Sequence, residues 1–106
     1  MSSMFEDRER SYEAKWAHDE EAQFRLMAER NRLLGLWAAE QLKLSGFEAE
    51  EYAKAVAQAG VVGKSPDTAL EQVRTDFHVR KIDIAEDVLR HRLEEFHNSA
   101  RINLSA

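Results

Sequence analysis

Leu33-Leu34-Gly35-Leu36-Trp37-Ala38-Ala39 is apolar on nearly every side of a helix, and the chain has no longer apolar run. A helix that is hydrophobic all round is covered on more than one face, so this stretch belongs at the centre of the fold. It is far too short to cross a bilayer, which takes about 20 apolar residues. Toward the N-terminus no Pro interrupts the sequence as far back as Ser3, where Ser3 and Glu6 have the capping-box spacing. The spacing therefore predicts one helix from about Ser3 to about Lys43, or two in near-continuation with a break at Ala17 to Glu20, where Asp19 offers a second N-cap.

Beyond Lys43 the same logic gives three more helices. Ser45 with Glu48 opens one whose apolar positions Ala49, Tyr52, Ala53, Val56 and Ala57 follow the 3.6-residue period, ending at Gly60. Ser65-Pro66 reads as N-cap and first helical residue of the next, with Leu70, Val73 and Phe77 along its apolar edge to about Arg80. Asp83 with Glu86 caps the last, whose buried face is expected to be Ile84, Val88, Leu89, Leu93, Phe96 and Ala100. Four helices with short loops and one apolar stripe each predict an all-α fold, a small four-helix bundle with a long N-terminal helix. The expected core is Leu33, Leu34, Trp37, Ala38, Tyr52, Val56, Leu70, Val73, Phe77, Val88, Leu89, Leu93 and Phe96. At 106 residues the chain is one domain's worth, divided here into an N-terminal arm, residues 1–18, and a bundle, residues 19–106.

Composition narrows the function. Fifteen Lys and Arg against 20 Asp and Glu leave a net charge of -5, the wrong sign for binding nucleic acid. The absence of cysteine excludes disulfides, thiol catalysis and thiolate metal sites. The first ten residues carry acids among bases and no apolar core of a signal peptide, so neither export nor membrane insertion is expected.

Three constellations could carry chemistry. Gly60-Val61-Val62-Gly63-Lys64-Ser65 ends like a phosphate-binding loop, but Gln58 stands where that motif needs its first Gly. It reads instead as a linker whose glycines end one helix and whose Ser65 caps the next. Glu94 and His97 have a dimetal-bundle spacing with no second copy, and no His pair is spaced to share a helical metal site. Arg30 and Asn31 beside Leu33 and Leu34 are the only polar residues near the densest core, and a snorkelling or surface Arg30 accounts for them. No catalytic residue, metal or cofactor is therefore expected.

The first eighteen residues are the informative part. On a helix Phe5, Tyr12 and Trp16 fall within about 20° of one line. Arg8 and Lys15 flank this aromatic stripe on one side, and Glu6, Glu9 and Glu13 on the other. An aromatic seam with oppositely charged rims has the anatomy of a segment that docks in a partner's groove. The alternative is packing on the protein's own bundle. Length bears against it unless the chain turns near Asp19, because a helix from Ser3 to Lys43 spans about 60 Å and the other three reach only roughly 20 to 28 Å, so spacing alone leaves both readings open.

Phe5-Glu6-Asp7-Arg8-Glu9, Tyr12-Glu13-Ala14-Lys15-Trp16-Ala17, Asp19-Glu20-Glu21 and above all Arg30-Asn31-Arg32-Leu33-Leu34-Gly35-Leu36-Trp37-Ala38-Ala39 resemble the zeta subunit, the ATPase inhibitor of α-proteobacterial F-type ATP synthases. The likeness covers Met4 to about Tyr52. It implies a cytoplasmic, non-enzymatic regulatory subunit, peripheral on the membrane-bound synthase. Its N-terminal segment enters the catalytic head between α and β subunits, with γ a further candidate contact, and blocks rotation in the direction of hydrolysis. On that resemblance the partner-binding residues are Phe5, Arg8, Glu9, Tyr12, Glu13, Lys15 and Trp16. Competing expectations are a helical adaptor for another protein partner and a nucleotide-sensing bundle, the latter resting on Gly63-Lys64-Ser65 alone.

Overall fold

The computed structural model describes residues 20–105. They form four helices: α1 (Glu20–Gln41), α2 (Gly46–Val62), α3 (Thr68–Val79) and α4 (Glu86–Ser105). The architecture is the small all-α bundle that the periodicity predicts. Ser3, the possible break at Ala17 to Asp19 and the helical content of residues 1–19 lie outside the described residues.

α1 is the central element and packs against each of the other three helices. Its apolar stretch shows why: Leu34, Gly35, Ala38 and Ala39 are buried, while Leu33, Leu36 and Trp37 are half-buried. Leu34, Ala38, Leu42, Val56, Ala69, Leu70, Val73, Phe77, Leu89 and Leu93 close into one core, with Trp37, Tyr52 and Phe96 partly buried against it. Gly35 sets the closest approach of α1 and α2, since a Cβ there would stand 2.7 Å from the Cα of Ala53. At the far side of α1, Trp37 meets Phe77 edge-on at 5.8 Å and Phe96 at 6.4 Å, and the Arg92 guanidinium lies 5.9 Å from its ring centre.

Val88 corrects the expected core, for it is 42% exposed. Leu89, Leu93, Phe96 and Ala100 define the inward stripe of α4, and Val88 stands about 100° from Leu89, outside a stripe of that width. Leu33 is likewise only half-buried.

The helix ends depart from the sequence expectations in a consistent way. α2 runs through Gly60 and stops at Val62, with Gly63 as its C-cap. Ser45 precedes α2 in extended conformation, yet its side chain makes no capping hydrogen bond. α3 begins at Thr68 rather than Pro66: the Ser65 hydroxyl accepts from the Asp67 N–H at 3.1 Å, and the Thr68 hydroxyl donates to the Ser65 carbonyl at 2.9 Å. Ser65 thus builds a turn ahead of the helix, the local bonding alternative open to serine. α4 begins at Glu86, and the carbonyl of Ala85 accepts its first N–H bonds from Val88 and Leu89, so Asp83 and Ile84 lie before the helix. The Glu86 carboxylate is held instead by Arg74 of α3, through bonds of 3.0 and 2.6 Å, and by Arg90 at 3.2 Å.

α1 and α3 end alike. Lys43 and Lys81 adopt positive φ, 65° and 59°. Their N–H groups donate three residues back, to Glu40 and His78, while those of Leu44 and Ile82 donate five back, to Ala39 and Phe77. Both are Schellman endings, with Leu44 and Ile82 folded onto the core as the apolar residue that accompanies the motif.

Candidate functional site

Phe5, Arg8, Glu9, Tyr12, Glu13, Lys15 and Trp16 all fall within residues 1–19, outside the described residues, so the structure neither brings them together nor separates them. What it describes is the frame into which that segment runs. Glu20 and Glu21 put negative charge on the first described turn of α1.

About two and a half turns beyond Glu21, α1 carries a buried polar latch. Arg30 is 7% exposed and Asn31 2%. The Arg30 guanidinium donates twice to the Asn31 side-chain oxygen, at 3.1 and 2.9 Å, and once to the Pro66 carbonyl, at 2.7 Å. Arg30 is therefore neither at the surface nor snorkelling. Burial pushes its pKa down, opposed by the charge of Asp67, but a guanidinium starts so high that it stays protonated. The latch ties the α2–α3 linker to α1 by a charge-assisted bond from one side chain. Gly60 seats against it, because a Cβ at that position would overlap the Asn31 amide nitrogen. The signal in the sequence was phase: Arg30 and Asn31 each lie within about 60° of Leu34, on the two flanks of the buried stripe.

Above the latch the linker and α1 border an open groove of about 350 Å³ lined by Glu20, Phe24, Met27, Asn31, Val61, Lys64 and Pro66. A second, of about 500 Å³, lies between α1, α2 and the end of α4, with Phe24, Ala28, Ala57 and Leu104 on its walls. Phe24, 54% exposed, forms the ridge between them. Asn103 reaches Glu29 at 3.4 Å and brings the end of α4 over α1.

The linker offers no phosphate cradle. Gly60, Val61 and Val62 are helical, Gly63 packs against Thr68, and the Ser65 hydroxyl and carbonyl are both engaged by the start of α3. Among the described residues no group of three or more His, Asp or Glu is placed to hold a metal ion. His78 and His91 are exposed and His97 half-buried, while His18 lies outside the described residues. No described helix is long and apolar enough to cross a membrane.

A family model described as ATPase inhibitor subunit zeta matches residues 1–103, nearly the whole chain and including every residue of the aromatic stripe. No curated protein and no solved structure matches.

Proposed function

The chain belongs to the ATPase inhibitor subunit zeta family, and from that membership we propose that it is a non-catalytic regulator of an F-type ATP synthase, acting through residues 1–18. In this proposal Phe5, Tyr12 and Trp16 bury in a groove between α and β subunits of the catalytic head, within reach of γ. Arg8 and Lys15 face acidic groups on one rim of the groove, Glu9 and Glu13 basic groups on the other. The wedged segment stops rotation toward hydrolysis and leaves synthesis possible. The protein is then peripheral, held at the membrane by the synthase.

The observation that carries the proposal is the family match across residues 1–103. The energetics agree with it. Three aromatic side chains contribute about 1.5 to 3 kcal/mol each on burial, while each newly fixed residue costs about 1 to 2 kcal/mol. A free peptide would lose most of the gain. A segment that continues into α1 has its helix nucleus already formed, so docking as a helix costs less.

The test is ATP hydrolysis by the cognate catalytic head with and without the full chain. Hydrolysis is expected to fall to a plateau at near one-to-one stoichiometry, with α and β subunits retained by the tagged protein. Unchanged hydrolysis at a tenfold excess overturns the proposal.

A further inference from the structure

The groove of about 500 Å³ between α1, α2 and the end of α4 is apolar in its walls and basic in its charge. Ala28 and Ala57, both half-buried, are the small residues of α1 and α2 that leave it open. Phe24 and Leu104 add apolar surface that is 54% and 42% exposed. Adjoining exposed apolar groups of this kind mark a surface that another group covers. The charges say which kind of group. Arg25, Arg32 and Lys54 stand in this lining against a single carboxylate, Glu29, although the chain as a whole has a net charge of -5. That carboxylate is already engaged, for Arg32 donates to its two oxygens at 2.9 and 3.1 Å and Asn103 donates to it at 3.4 Å. Among the described residues no hydrogen bond or ion pair engages the Arg25 side chain. Lys54 meets Glu51 at 3.5 Å, with its side chain 75% exposed. Unengaged cations around an apolar recess complement an apolar segment edged with carboxylates. The groove beside Glu20 makes no such selection, because its one cation, Lys64, is balanced by Glu20.

We infer that this groove receives an amphipathic helix of another protein, its apolar side chains seated over Ala28 and Ala57 and its Asp or Glu side chains meeting Arg25, Arg32 and Lys54. This surface is separate from residues 1–18, and the inference does not depend on the inhibitory role proposed for them.

The backbone around the groove decides for a helix over an extended segment. The stretches from Phe24 to Arg32 and from Lys54 to Gln58 lie inside α1 and α2, where the N–H and C=O groups already serve the helices. An extended segment would therefore bury its own backbone groups without partners, whereas a helix brings its backbone bonds with it. The spacing of the cations fits the same occupant. Arg25 and Arg32 are seven residues apart, so they lie within about 20° of one line and about 10 Å apart along α1. Carboxylates seven residues apart on a helix lying alongside α1 reach both.

The experiment titrates the isotope-labelled full chain with a synthetic three-heptad helix, Leu along one side and Glu seven residues apart on its flanks, and follows the amide shifts. The control is the same helix with Lys in place of Glu. Saturable shifts are expected at Phe24 to Arg32, Lys54 to Gln58 and Leu104. Binding of the acidic helix should be about tenfold tighter than that of the basic one and should weaken as salt is raised. Arg25→Glu combined with Lys54→Glu, both at exposed positions and so of little consequence for the fold, should invert the preference. Gln58→Trp, exposed on the groove wall, should weaken the acidic helix about tenfold by filling its seat. Equal affinity for the two helices, a preference that survives the double reversal, the absence of saturable shifts, or shifts that fall elsewhere overturn the inference. So do groove shifts that grow with protein concentration alone, which assign the groove to a second copy. Shifts at Lys54, Gln58 and Leu104 on deleting residues 2–18 assign it to the chain's own N-terminal segment, and shifts there with phosphatidylglycerol vesicles but not with the acidic helix assign it to a lipid surface; either result overturns the inference.

Discussion

The Arg30 guanidinium on α1 donates to the carbonyl oxygen of Pro66, 36 residues away, at 2.7 Å. One side chain thereby fixes the α2–α3 linker against the central helix. Arg30→Ala removes the donor and leaves the Asn31 oxygen and the Pro66 carbonyl without it. Such unmet buried groups cost about 1 to 3 kcal/mol each, so the expected loss is roughly 2 to 4 kcal/mol in urea unfolding. Arg30→Lys should recover little, because an ammonium cannot reproduce the guanidinium fork. Full rescue by lysine would contradict the latch.

Gly35 lets the backbones of α1 and α2 touch. Gly35→Ala raises helix propensity by about 1 kcal/mol. It also places a Cβ 2.7 Å from the Ala53 backbone, which cannot swing aside as a flexible side chain would. Overpacking of this kind costs about 1 to 3 kcal/mol, and a net destabilisation on the order of 1 kcal/mol is expected by thermal unfolding. Stabilisation would mean that the helices separate freely here.

Lys43 and Lys81 hold left-handed backbone conformations that glycine adopts without strain. Lys43→Gly and Lys81→Gly are each expected to stabilise the fold by about 0.5 to 1 kcal/mol, the relief of left-handed strain less the added freedom of the unfolded chain. Denaturant midpoints measure it. A loss of stability at both positions would contradict the Schellman endings.

The hydrogen bonds from Arg74 hold the Glu86 carboxyl below its ordinary value of about 4.5, with the charges of Arg74 and Arg90 acting in the same direction. A depressed folded pKa stabilises above the unfolded value, and that contribution is lost as the pH falls through the lowered one. In Arg74→Ala the Glu86 carboxyl should titrate higher by NMR, and stability should fall less steeply than in the parent as the pH drops below about 4.5. An unmoved Glu86 titration would show that the pair does not persist in solution.

Deleting residues 2–18 is expected to abolish inhibition and to shift the melting temperature by no more than about 4 °C, the scale of a single kcal/mol in a domain this small. Reversing Arg8 and Lys15 to Glu should slow association with the head while leaving the fold intact, since exposed charges act mainly on the on-rate. Inhibition that survives the deletion would place the activity on the bundle.

The sequence by itself determined the number and order of the helices among the described residues, the all-α class and the central place of Leu34 to Ala39. These follow from local periodicity, which each segment carries within its own residues. It also carries the aromatic stripe of Phe5, Tyr12 and Trp16, the candidate site, as a matter of spacing; what covers that stripe is not local. Only the tertiary structure decided that Arg30 is buried, because its partner carbonyl comes from a linker that sequence separation hides. Only packing decided that Val88 faces out, because α4 shows a stripe too narrow for both Val88 and Leu89. The caps went the same way: Ser65 and Glu86 have cap-forming side chains, but a turn onto the Asp67 N–H and the forked grip of Arg74 engaged them first. The groove beside Glu20 is a product of folding alone, since Phe24 and Met27 meet Val61 and Lys64 only once α2 has turned back along α1.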